Sequence, residues 1–116
     1  MQANELRIGN WVLHRGKYVQ VNANTILAIV NGSEHYAPIP LTPEILEECG
    51  FECASDEFGG YLINISEKEK IRIIKQEGNF IFPLFGVTKV PTNFLHQLQN
   101  LYFSLTNTEL QWNRKQ

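Results

Sequence analysis

The sequence predicts an α+β fold: antiparallel strands, a short middle helix and a longer amphipathic helix near the C-terminus. Three observations predict it. Thr42-Pro43 is a helix start, since a threonine hydroxyl accepts from the first free amides and proline loses nothing at the first helical position. Between Tyr61 and Ile73 apolar residues alternate with polar ones, the period of a half-buried strand. Phe94, Leu98, Leu101 and Leu105 recur at helical spacing, widened by Leu95 and Tyr102.

The first forty residues read as short strands with tight turns. Trp11–His14 and Lys17–Val21 flank Arg15-Gly16, and Thr25–Val30 is a β-branched apolar run suited to a central strand. Asn31-Gly32 carries the composition of a type I′ hairpin turn, which makes His35-Tyr36-Ala37 the returning strand. The N-terminal part is thus expected to be all-strand or SH3-like. A helix follows over residues 43–49, with Leu41 and Leu46 as its staple and Gly50 as its left-handed stop.

Residues 55–60 form a loop ending in Gly59-Gly60. A meander follows. Tyr61, Ile63 and Ile65 share one face, Ile71 and Ile73 oppose Lys70 and Arg72, and residues 80–85 are apolar on both faces. Pro83 cannot donate to a ladder, so the last strand is expected to bend there or to lie at an edge, with residues 87–90 continuing it. Thr92 is expected to cap the final helix, with His96, Gln97, Gln99 and Asn100 on its polar side. Residues 112–116 read as a loose tail, and the whole chain of 116 residues as a single domain.

Composition bounds the function. Hydrophobic residues at 43% and charged residues at 19% describe a globular chain, not a disordered one. A net charge of −2 argues against a dedicated nucleic-acid binder, whose affinity comes largely from neutralised phosphates. The charge is uneven. Six acids and no base lie between Glu44 and Glu57, and four bases face one acid between Lys68 and Lys75. The polar start and the lack of an apolar run predict no signal peptide, no membrane span and a cytoplasmic location.

No stretch carries a reaction motif. Cys49 and Cys53 lack the second ligand pair of a zinc site, and His14, His35 and His96 stand alone in sequence. The acids around the cysteines disfavour a thiolate. Gly59-Gly60 lacks the lysine and helix start of a phosphate loop. The sequence therefore leads us to expect neither cofactor nor metal, and no enzyme.

Two surfaces stand out as candidates. The run of residues 80–85, with Phe80, Phe82 and Phe85, is either a strand covered on both sides or an exposed apolar patch for a partner or a second copy. Around the first hairpin, Arg7, Trp11, Arg15, Lys17 and Tyr18 combine stacking rings with basic groups, the alternative being a nucleic-acid or nucleotide site.

The stretches of residues 4–12, 38–42, 49–51 and 95–103, in that order, resemble a family of small uncharacterised proteins encoded by phages, prophages and mobile elements of gut bacteria. The resemblance implies no catalytic residue, only a mobile-element context in a host cytosol. It also makes His96, Gln97 and Asn100 candidate partner contacts, because they offer hydrogen bonds without charge. The expectation is a non-enzymatic protein-binding or self-association domain. The alternative is a small nucleic-acid or nucleotide-binding module, such as a phage counter-defence protein.

Overall fold

The computed structural model describes residues 3–32, 35–54, 59–76, 78–84 and 88–113. It has the expected α+β character, with antiparallel pairing throughout. The chain divides into two compact units, Met1–Pro40 with Phe94–Asn107, and Leu41–Asn93 with Thr108–Gln116.

In the first unit, a single 3-10 turn at Ala3–Glu5 leads to strands β1 (Trp11–His14) and β2 (Lys17–Gln20). Arg15 and Gly16 both take positive φ, 52° and 82°, as a two-residue type I′ hairpin turn requires. Strand β3 (Tyr36–Ala37) pairs with the other side of β1, giving the order β2-β1-β3.

The run read as a central strand is instead helix α1 (Ala23–Val30), so the N-terminal part is not all-strand. The cause lies just upstream. Asn22 accepts the Thr25 amide at 2.9 Å, and the Thr25 hydroxyl accepts the Asn22 amide at 3.2 Å. This reciprocal cap satisfies two otherwise orphaned donors and starts a helix through β-branched residues. Asn31-Gly32 ends that helix and does not turn a hairpin; the two amides bond back to Leu27 and Ile29. Ile26 and Ile29 then pack on the cluster of Leu6, Val12 and Val21.

Helix α3 (Leu95–Thr106) completes this unit and packs on β1. Thr92 does not cap it. The cap position is Phe94, whose amide donates to the Gln97 side chain at 3.2 Å, while the Thr92 hydroxyl donates to the Val90 carbonyl. At the far end Asn107 adopts φ 56° and closes the helix by a 2.7 Å bond to the Phe103 carbonyl.

In the second unit, helix α2 (Pro43–Glu48) forms as expected, with the Thr42 hydroxyl accepting the Ile45 amide at 3.2 Å and Gly50 at φ 99°. Strands β4 (Glu52–Cys53), β5 (Tyr61–Asn64), β6 (Lys70–Gln76), β7 (Asn79–Leu84) and β8 (Thr88–Pro91) run as a meander in sequence order. Residues 88–91 do not continue β7. They fold back beside it as β8, which makes β7 an interior strand. Pro83 is tolerated because pairing with β6 stops at Ile81, so the proline nitrogen owes nothing on that side.

Ile71 and Ile73 are buried on one face of β6 and Phe80 shares that face, while Ile81 is buried on the other; Phe51, Ile45 and Leu46 are buried as well. The segment expected to be loose from Trp112 is docked. Leu110 and Trp112 are buried, the Trp112 indole donates to a Glu48 carboxylate oxygen at 3.2 Å, and the Asn113 amide donates to the Glu48 carbonyl. Residues 114–116, like 55–58, lie outside the described residues. Among the described residues no helix is long and apolar enough to cross a membrane.

Gly60 sets the entry to β5. Its φ is 83°, and an added methyl would run into the Ile73 carbonyl oxygen and the Ile74 side chain. Gly78 has the same φ, 83°, but open space around it. Gly60→Ala is therefore expected to destabilise the protein by more than the ~1–2 kcal/mol of left-handed strain alone. Gly78→Ala should show only that strain. Urea unfolding of the two variants checks this, and equal losses would show that the close approach to β6 carries no weight.

Candidate functional site

The residues singled out near the first hairpin do not act as one surface. Arg7 is committed internally. Its Nε donates to Asn100 Oδ1 at 2.7 Å, its Nη2 to the Gln99 carbonyl at 3.2 Å, and its guanidinium lies 4.4 Å from the Phe103 ring centre. Strand register places Trp11 and Tyr18 on one face of the sheet and Lys17 on the other, beside the buried Val12. Trp11 is half-buried, whereas Arg15, Lys17 and Tyr18 are exposed at the hairpin end. Two bases and one ring remain at that tip, a sparse set for tracking a phosphate backbone.

The polar residues of α3 are equally committed. The buried Gln99 accepts the Trp11 amide at 2.8 Å and donates to the Gly9 carbonyl at 3.4 Å. Asn100 accepts from Asn10 Nδ2 at 3.0 Å and donates to the Glu5 carbonyl at 2.9 Å. Asn10 is itself fully buried; its Oδ1 accepts the Arg7 amide at 2.6 Å and its carbonyl the Val21 amide at 2.7 Å. These side chains clasp α3 to the chain entering β1. Gln97 caps its own helix, as described above. The helix side expected to be solvated is thus partly interior, and Leu105, expected in the apolar stripe, is exposed.

Phe80 is buried, with its amide donating to Asn93 Oδ1 at 2.9 Å and its ring 5.7 Å from the Lys75 ammonium. Phe82 is half-buried opposite Val90, and Phe85 lies outside the described residues. Of the two readings of this strand, Phe80 and Ile81 follow the covered one, since neighbours on the strand point to opposite faces and both are buried.

Cys49 is buried at the end of α2, and burial together with the adjacent Glu48 carboxylate pushes its thiol up to about 12. Such a thiol is no nucleophile near neutrality. Cys53 is exposed on β4. Among the described residues no three His, Cys, Asp or Glu side chains gather as a metal cluster.

Sequence reasoning missed the outer face of α1. Leu27 is 58% exposed and Val30 65% exposed, and they lie three residues apart on one side of the helix. No charged residue occurs in α1 at all. The miss follows from reading the segment as a strand. The signal that exposes it is Asn22 three residues before Thr25, because a helix of eight residues with five consecutive apolar positions cannot bury them all.

No family model, curated protein or solved structure matches the chain.

His96 is 2% exposed, and among the described residues neither ring nitrogen has a hydrogen-bond partner. Phe94 stacks beside it with ring centres 6.1 Å apart. Burial pushes its pKa below the ordinary value of 6.5, and the Glu5 carboxylate only partly opposes this. The folded state therefore holds the neutral ring, while the unfolded chain takes up a proton as pH falls through about 6.5. Stability contributed by the neutral ring is whole above that pH and declines below it, by at most about 1.4 kcal/mol per pH unit. Urea unfolding at pH 7.5 and pH 5.5 of the wild type and His96→Met is expected to show a steeper acid loss in the wild type. Parallel profiles would contradict the assignment.

Proposed function

We propose that the protein is a non-enzymatic interaction domain that binds protein, a second copy of itself first of all, through the outer face of α1. The observation that carries this is the pair Leu27 and Val30, large apolar side chains left in water on a helix without charges. Exposed apolar surface of this kind is characteristic of association sites. Burying such a side chain is worth about 1.5–3 kcal/mol, so two of them repeated across a two-fold axis supply a useful driving force. The resemblance stated above favours an accessory protein of a phage or mobile element acting in a host cytosol. The nucleic-acid reading is the weaker one, since Arg7 is held inside the fold and Trp11 is half-buried.

Sedimentation over a range of concentrations tests the proposal. The wild type is expected to associate, with little response to salt, and Leu27→Glu/Val30→Glu to remain monomeric with its fold intact. Association that survives the double substitution would move the interface elsewhere. Association that collapses as salt rises would favour a charged partner surface.

A further inference from the structure

We infer that the outer face of the second unit's sheet carries a binding site for a small zwitterion of dipeptide size, with one cationic and one anionic end around an amide. This site is separate from α1 and does not depend on the reading of α1 as an interface.

The site is a concave pocket of about 430 Å³ at the β4 end of the sheet, lined mainly by polar atoms. That volume lies within the range of small-molecule sites, ~300–1,000 Å³. The register decides which side chains line it together. Glu52 on β4 pairs with Leu62 on β5, and Lys70 on β6 pairs with Asn64 on β5. Leu62 and Asn64 are two residues apart, so all four side chains stand on one face. It is the face opposite the buried Ile71 and Ile73. Leu62 and Asn64 form the floor, with Glu52 on one flank and Lys70 on the other; Arg72, opposite Leu62 on the same face, is turned to the Gly59 carbonyl.

The spacing argues for a ligand and not for a closed ion pair. Glu52 and Lys70 lie on either side of β5, with their Cα atoms about 12 Å apart for strands ~4.8 Å apart rising ~3.4 Å per residue. Charges directly opposite on neighbouring strands pair readily, but these two are separated by a whole strand.

Electrostatics narrows the ligand. A polyanion that Lys70 would attract is repelled by Glu52, and a cation that Glu52 would attract is repelled by Lys70. The polar lining gives an apolar molecule little to bury. A molecule carrying both charges satisfies both flanks at once. Asn64, between them, offers a carbonyl and an amide, the complement of one peptide group. Two extended residues span roughly 7 Å, which leaves the long Glu52 and Lys70 side chains room to close on the two ends.

The test is an amide-shift titration of the full chain with diglycine at neutral pH. Beside it run N-acetylglycine, which lacks the cation, and glycinamide, which lacks the anion. Saturable shifts are expected at the amides of Glu52, Leu62, Asn64 and Lys70. Each half-charged analogue should bind about three- to fivefold more weakly, the loss of one solvent-exposed pair. Glu52→Gln and Lys70→Met alter exposed side chains and should weaken diglycine by a similar factor each. The inference is overturned by three results: no saturable shift up to about 50 mM, where binding would be weaker than a useful site provides; equal affinity for the half-charged analogues; or diglycine shifts that persist in the doubly substituted protein.

Discussion

The clasp between α3 and the segment entering β1 is the constraint on which the first unit depends. Gln99, Asn100, Asn10 and Arg7 are about ninety residues apart in sequence and share a continuous hydrogen-bonded network. Asn10 and Gln99 are almost wholly buried, and a buried amide without partners costs ~1–3 kcal/mol. Each of these groups is therefore intolerable alone and acceptable together. The network also fixes the register of β1, because Gln99 reads the backbone of both Gly9 and Trp11. With β1 fixed, Val12 points into the cluster that Ile26 and Ile29 cover, and Trp11 points to the other face.

The clasp joins two segments far apart in the chain. Residues 4–12 and 95–103 contact one another, and their polar residues serve the fold. That changes what the surface offers. Asparagine and glutamine on a helix suggest partner contacts when read in sequence, yet here Gln99 and Asn100 bond to backbone and side chains of the same chain. Leu27 and Val30 of α1 remain in water, and Glu52 and Lys70 flank a concavity.

What was legible in the sequence is what local chemistry decides. The Thr42-Pro43 start of α2, the Arg15-Gly16 turn and the alternation of β5 and β6 follow from neighbours within a few residues. The errors occur where local signals are degenerate or distant groups decide. Ile26–Val30 fits strand or helix by hydropathy, and only the Asn22–Thr25 cap separates them. The start of α3 shifts from Thr92 to Phe94 because Pro91 and Thr92 are held by β7 and β8, the Thr92 amide bonding to the Phe80 carbonyl at 2.8 Å. The burial of His96 and Gln99, and the docking of Trp112 on Glu48, depend on contacts no short window contains. The same holds for the candidate pocket: Glu52 and Lys70 meet one face of β5 only through pairing across three strands.

The most direct test of this account is a double-mutant cycle on the clasp. Asn10→Ala and Asn100→Ala, singly and together, are compared by urea unfolding. If the two side chains act as one network, the double variant loses less than the two single losses combined, with a coupling of about 0.5–3 kcal/mol. Strictly additive losses would mean that Asn10 and Asn100 contribute separately, and that the clasp is not what fixes α3 to β1.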